Sequence, residues 1–501
     1  MTAWIVALPL IVPIITALAT FFLGPSRFTR LVSLAGAAAL LATGVLLLGT
    51  VWTDGIQVAS MGSWTLPFGI ALVADHLAAA MVLITGVIGV AVAGYAVAAP
   101  DRSREARGYA PLFHVLLLGV AGAFLTGDLF NLYVWFEVML IASFGLLVLG
   151  RSTGELVGGV KYVVLNLIGT LLFLLGLALL YGVTGTLNMA DLHRVVAAGE
   201  ASGSVVPAAL VLALAFGAKA AVFPLFFWLP ASYHTTGFAI SALFAGLLTK
   251  VGVYALIRVF TLVFAAQSAL TIGVFWSVAV LTMVVGVLGA ASQGEMRRIL
   301  SFHIVSQIGY MIVGLALFTP LALTAAVFYL LHHMVVKANL FLVAGVVRRL
   351  CGSLDLKRTG GLVKRSPWLA VLFLIPALSL AGVPPLSGFW AKFLVIEASI
   401  DAADYILAGV AIGVGLLTLF SMIKIWNEVF WKASPSAMTS GDEWTASRGV
   451  GTVALPIAGL AATTLLIGLT VSPALTLAER ASAELMNPAG YVAAVLGGHT
   501  P

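Results

Sequence analysis

Charge is scarce in this sequence. Only 9% of its 501 residues are Asp, Glu, Lys or Arg, against about 25% in a soluble domain. A soluble globular fold is excluded. Cysteine is nearly absent: Cys351 stands alone. It forms no internal disulfide and cannot ligate an iron–sulfur cluster by itself. No glycine-rich loop runs into Lys-Ser or Lys-Thr, so ATP is not the driver. There is no zinc-spaced Cys/His cluster. Haem held by His332 or His333 fails on geometry, because adjacent residues point about 100° apart on a helix, and no other deep stretch offers a histidine mate. No linker separates soluble domains. The expectation is a protein with no cofactor, no metal and no catalytic residue set, and so not an enzyme.

What is present is apolar, at 61% of the chain. A helix needs roughly 20 apolar residues to cross a bilayer. Breaking the chain at polar or Gly/Pro clusters gives fourteen candidate spans: 4–24, 28–50, 70–96, 109–126, 128–150, 156–183, 205–234, 236–259, 269–291, 299–317, 320–348, 367–398, 404–431 and 450–473. The expected class is an all-α polytopic membrane protein. The first run has no basic residue before it and no small-residue cleavage site, so it reads as a retained helix. Pro473 to Met486 reads as a short amphipathic piece at the interface.

The net charge of +6 reads as topology rather than nucleic-acid binding. With the first loop inside, the odd-numbered loops hold Arg27, Arg30, Arg102, Arg104, Arg107, Arg151, Arg297, Arg298, Arg348, Arg349, Lys357, Arg358, Lys364, Arg365, Lys432 and Arg448. The other side holds Arg194, Arg258 and Arg480. This bias places both termini outside the cytoplasm.

The remaining basic residues, Lys161, Lys219, Lys250, Lys337, Lys392 and Lys424, fall inside spans. Lys161 and Lys424 lie near span ends, where lysines snorkel. The other four do not. The stretch Gly127 to Leu147, GDLFNLYVWFEVMLIASFGLL, carries Glu137 near its middle. A carboxylate there is costly unless paired, hydrated or protonated. Lys219 is its natural partner. Lys250 follows in the next span. His332, His333 and Lys337 share another, with His333 and Lys337 four apart on one face. Lys392 ends the series. His303, beyond Arg297 and Arg298, is a candidate proton inlet. His114, His234 and Asp128 read as structural. Asp75 and His76 read as a helix start, with the carboxylate a candidate cation collector at the rim.

Two spans carry prolines where a straight helix should not. They are FGAKAAVFPLFFWLP around Pro224 and AGVPPLSGFWAK around Pro384 and Pro385. Each should kink or unwind. The two breaks share a Pro-Leu, an aromatic-Trp pair and an adjacent lysine, and fall five spans apart. Five is odd, so equivalent helices run in opposite directions, the signature of inverted repeats.

With FNLYVWFEVMLIASF, Lys219 before FPLFFWLP, LLTKVGVY, EMRRILSFHIVSQIGYM, HHMVVKANLF and AGVPPLSGFWAKF in hand, nearly the whole chain resembles the antiporter-like subunit family. Respiratory complex I and the Mrp multisubunit Na+/H+ antiporters share that family. The GDLFNLYVWFEV form and Lys392 resemble its Mrp D branch. Glu295, where many relatives carry aspartate, is a conservative departure. The resemblance implies fourteen helices in four parts: 1–108, a five-helix repeat 109–259, an inverted repeat 260–432, and 433–501. It implies a hydrated proton-transfer axis through Glu137, Lys219, Lys250, His333, Lys337 and Lys392, to which the residue reading adds His332. Implied partners are other Mrp subunits in the plasma membrane, protons, and Na+, with Li+ or K+ as other candidate cations. Two rival readings stand beside it. One is a proton-pumping subunit of complex I or a membrane hydrogenase. The other is a non-conducting scaffold.

Overall fold

The computed structural model describes residues 3–62, 64–434 and 450–497. In chain order the elements are α1 (Ala3–Leu23), α2 (Arg27–Asp54), β1 (Gln57–Met61), β2 (Ile70–Ala74), α3 (His76–Ala98), α4 (Arg102–Glu105), α5 (Tyr109–Leu125), α6 (Leu129–Val148), α7 (Thr153–Thr184), α8 (Met189–Ala197), α9 (Val206–Ala220), α10 (Trp228–Ser232) and α11 (Phe238–Leu262). Then follow α12 (Ser268–Ser292), α13 (Met296–Leu317), α14 (Pro320–Cys351), α15 (Leu362–Arg365), α16 (Pro367–Ala381), α17 (Ser387–Asp401), α18 (Tyr405–Ile425), α19 (Val450–Leu469), α20 (Val471–Met486) and α21 (Ala489–Leu496).

Among the described residues, 11 helices are long and apolar enough to cross a membrane, and α5, α9 and α16 are shorter apolar helices. Together they occupy the predicted segments. The all-α expectation needs one correction. Residues 70–74, placed at the start of the third span, form β2, which pairs antiparallel with β1 from Gln57↔Ala74 to Met61↔Ile70. A short apolar run reads alike as strand or helix, so the sequence could not separate them. The helix begins only at His76, capped by Asp75, whose side chain accepts from the Ala78 amide at 2.8 Å. The connection between the predicted spans 156–183 and 205–234 is partly helical, as α8.

Loop contacts fall into two sets. One joins Leu72 to Thr126 and Asp128 to Asn188, Ser482 to Pro320, and Asp75 to Arg258. The other joins Arg104 to Glu155, Arg297 to Thr236, Arg349 to Ala99, and Lys424 to Gln293. Apart from Arg258 and Lys424, which lie within helices, the first set belongs to even-numbered connections and the tail, the second to odd-numbered ones. Two corrections follow. Arg258 is not a loop charge; it is buried within α11. Lys424 caps the α12 carbonyls of Ala291 and Gln293 instead of snorkelling. Arg448 lies outside the described residues.

The tail is docked rather than merely interfacial. α20 packs on α14 and α3 and buries Ala478, Ala481, Ser482 and Leu485. Its Glu484 takes hydrogen bonds from the His76 amide at 3.0 Å and from His76 Nδ1 at 2.7 Å.

α11, α13 and α14 form the centre of the bundle. The most apolar window is wholly buried in α11 and α14 and 94% buried in α13. These are also the helices that carry Lys250, His303, His332, His333 and Lys337. A charge is expensive against lipid, so such residues belong on helices sheathed by other helices.

Candidate functional site

Glu137 sits on α6, whose start is fixed by the Asp128 side chain accepting from the Asn131 amide at 2.8 Å. Asp128 is therefore a cap. Glu137 is half-buried. Its Oε1 accepts from Thr170 Oγ1 of α7 at 2.7 Å. The same hydroxyl accepts from Lys219 Nζ of α9 at 3.0 Å. The direct Glu137–Lys219 pair expected from the sequence is thus replaced by a three-part chain, with a threonine between the charges. Lys219 is 4% exposed, and its Nζ lies 5.8 Å from the Phe136 ring centroid.

Lys219 stands where α9 ends. Ala221 takes a left-handed conformation, φ 62° and ψ 47°, which costs about 1–2 kcal/mol in a residue with a Cβ. Trp228 Nε1 spans the break and donates to the Ala218 carbonyl at 2.9 Å. The second break lies between α16 and α17. There Lys392 Nζ donates to the Ala381 carbonyl at 3.0 Å, and Trp390 Nε1 donates to Gly468 at 3.0 Å. At the second break Pro385 has no N–H for the Ala381 carbonyl four residues earlier, and Lys392 satisfies that carbonyl instead. Gly388 is required by close approach: a Cβ there would collide with the Ser379 carbonyl oxygen.

The remaining predicted residues gather around α14. Lys250 is wholly buried and donates to the Ala245 carbonyl one turn back. Lys337, equally buried, donates to the Leu300 carbonyl at 3.1 Å. Lys250 and Lys337 lie on the packed helices α11 and α14. His332 Nδ1 meets Ser387 Oγ at 2.8 Å, and Ser387 meets Ser379 Oγ at 3.1 Å. His303 is fully buried in α13. Among the described residues, both ring nitrogens of His303 and of His333, and both side-chain polar atoms of Asn339, lack a hydrogen-bond partner. A buried polar group left unpaired costs about 1–3 kcal/mol, so these groups favour contact with water over a dry interior.

Several residues of this region escaped the sequence reading. Lys392 Nζ lies 5.3 Å from the Tyr310 ring centroid. Tyr310 stacks on Tyr329 at 5.0 Å, and Tyr329 donates to Gln307 Oε1. The signal was available. His303, Gln307 and Tyr310 are spaced four and three apart, a polar stripe on one face of an apolar helix. Thr170 left no such signal.

Other candidates are structurally engaged. His114 Nε2 meets Ser33 Oγ at 2.9 Å, and His234 Nδ1 meets the Pro230 carbonyl at 2.7 Å. Asp75 is no open cation collector, because Arg258 grips it at 2.6 and 2.8 Å. Among the described residues, no hydrogen bond or ion pair joins the Glu137–Thr170–Lys219 chain to the group around α14. The two approach through backbone: a Cβ at Gly252 would lie 2.8 Å from the Lys219 carbonyl carbon.

The family described as NADH:quinone oxidoreductase/Mrp antiporter, transmembrane, matches residues 126–418. The chain is 44% identical over 493 residues to the D subunit of a Na(+)/H(+) antiporter of Alkalihalophilus pseudofirmus, covering 98% of this chain and 99% of that one. Among solved structures it resembles a chain of the Mrp complex from a Dietzia species, with TM-score 0.91 and 36% identity, over 99% of this chain and 100% of that one. A chain of respiratory complex I from Thermus thermophilus is also similar, with TM-score 0.80 and 25% identity, over 96% and 100%.

Proposed function

Because the chain belongs to the NADH:quinone oxidoreductase/Mrp antiporter family, we propose that it is the D-type, proton-translocating subunit of a multisubunit Na+/H+ antiporter in the plasma membrane. It is a transporter subunit rather than an enzyme, and it works with the other subunits of that complex. The antiporter reading is favoured over a redox-driven pump by 44% identity against 25%. Fourteen crossings, inverted repeats over 109–259 and 260–432, and external termini agree with the apolar helices, the paired breaks and the sorted loops.

The observation that carries the mechanism is the Thr170 hydroxyl between Glu137 and Lys219. A hydroxyl donates and accepts at once. When Lys219 passes a proton to Thr170 Oγ1 and Thr170 passes its own to Glu137, two opposite charges vanish together. The reverse step restores them. Neutralisation or ion pairing at this point alters the field felt by the groups around α14. Lys250, His332, His333, Lys337 and Lys392 carry the proton onward, with His303 joining them beside Lys337.

The test uses inside-out vesicles holding the whole complex, with a proton gradient set by an unrelated pump and no quinone or reduced cofactor. Sodium is expected to collapse the gradient. An assembled complex that leaves it intact would overturn antiport. Within the same assay, Thr170→Val should slow sodium-dependent collapse by roughly tenfold, the equivalent of about 1.4 kcal/mol, whereas Thr170→Ser should retain the wild-type rate. Equal rates for valine and serine would show that the hydroxyl is only structural.

A further inference from the structure

We propose that the arginine-rich face of this protein holds a binding site for a phosphate-bearing anion, separate from the proton-transfer residues. The site is a cavity of about 360 Å³ between α3, α4, α5, α11, α13 and α14. Four arginines line it: Arg104, Arg297, Arg348 and Arg349. Arg104 is committed to Asp101 and Glu155, and Arg297 faces Glu295 at 3.8 Å. Among the described residues Arg348 and Arg349 meet no carboxylate. Their hydrogen bonds go to the carbonyls of Gly352 and Ala99. The carboxylates on the wall are already engaged, Asp101 with Arg104 and Glu105 with Arg30 at 3.6 Å.

The second observation is a set of unmet donors in residues that line the cavity. Tyr95, Tyr109 and Thr236 line this cavity and are 3%, 8% and 2% exposed, and among the described residues their buried hydroxyls have no hydrogen-bond partner. Among the described residues, Nε of Arg104 and Nε of Arg297 donate no hydrogen bond, although Arg297 Nε is the atom that faces Glu295. Gly345 makes room for one of these groups, because a Cβ there would collide with Tyr95 Oη. Hydroxyls and guanidinium groups are donors, and what they lack is acceptors. A phosphate offers several acceptor oxygens at once and matches the planar guanidinium fork. A metal cation fits none of this. The same chemistry is carried by an anionic phospholipid headgroup and by free phosphate. A neighbouring cavity of about 320 Å³ shares Ala96, Glu105 and Tyr109 with it and is walled by Phe21, Val97 and Pro111, which gives an acyl chain a route out.

The experiment uses the intact complex in phosphatidylcholine nanodiscs, with and without phosphatidylglycerol, and in phosphatidylcholine alone titrated with inorganic phosphate. Native mass spectrometry counts retained phosphatidylglycerol, and thermal unfolding follows phosphate. Wild type should either retain one phosphatidylglycerol after delipidation, which identifies a lipid, or show a saturable rise in Tm with phosphate, which identifies the free anion. Arg348→Gln/Arg349→Gln should weaken that binding at least tenfold with the complex still assembled. Tyr95→Phe, which removes only a hydroxyl, should weaken it less. Wild type binding neither probe, binding unchanged in both variants, or cross-links placing a carboxylate of another protein of the complex in the cavity would each overturn the proposal.

Discussion

Vesicles carrying Glu137→Gln are expected to keep their proton gradient when sodium is added, while the complex stays assembled. Glutamine has nearly the shape of glutamate, and its amide oxygen can still accept from Thr170, so α6 and α7 should pack as before. What disappears is the carboxylate that receives the proton and balances Lys219. Lys219→Ala removes the other end of the chain and should give the same result. The expected loss in each is complete rather than partial, down to the level of vesicles without the complex, because a site with one fixed charge state has nothing to exchange. Lys219→Arg sharpens the test. It keeps a positive charge but holds its proton, so a relay predicts loss where a merely structural cation predicts retention. Normal exchange in Glu137→Gln would remove Glu137 from the mechanism.

A large loss of stability is expected from Arg258→Leu, at the opposite rim from the arginine cavity. Arg258 and Asp75 form a two-pronged ion pair with side chains 5% and 1% exposed. Arg258 also lies against the rings of Tyr254 and Tyr491, at 5.4 and 5.5 Å. Breaking a buried pair from one side leaves an uncompensated charge and costs about 3–5 kcal/mol. Asp75 keeps its bond from the Ala78 amide, which puts the expected loss toward the lower end of that range. Asp75→Asn/Arg258→Leu, with both charges gone, should recover much of the loss, since coupled neighbours are not additive. Thermal unfolding of the purified complex measures both. A single variant that unfolds like wild type would mean that the pair is hydrated rather than buried in the assembled protein.

The breaks in the helices were legible because proline acts locally. It removes its own donor and clashes with its own preceding turn, so no tertiary information is needed to place Pro224 or Pro384. The lysines were legible for a related reason: a charge deep in an apolar run has no cheap local solution. Thr170 was illegible. A threonine in a membrane helix ordinarily returns its hydroxyl to its own backbone, as Thr20, Thr85 and Thr418 do with the carbonyl four residues earlier. Nothing in the order of residues separates Thr170 from these. Only the approach of α6 and α9 to its face turns that hydroxyl outward.

The sequence alone determined that this chain is a bundle of membrane-crossing helices, which face of it is basic, where two helices break, and which residue types are too costly to lie there without a purpose. Each of these follows from solvation, and solvation acts residue by residue. The tertiary structure decided who meets whom. Glu137 reaches Lys219 through a threonine, Asp75 belongs to Arg258, and His76 belongs to Glu484, 408 positions away. It also brought four arginines and three residues with unmet hydroxyls from distant parts of the chain around one cavity. Such pairings depend on which helix faces touch, and in a chain so uniformly apolar many faces look alike until they are packed.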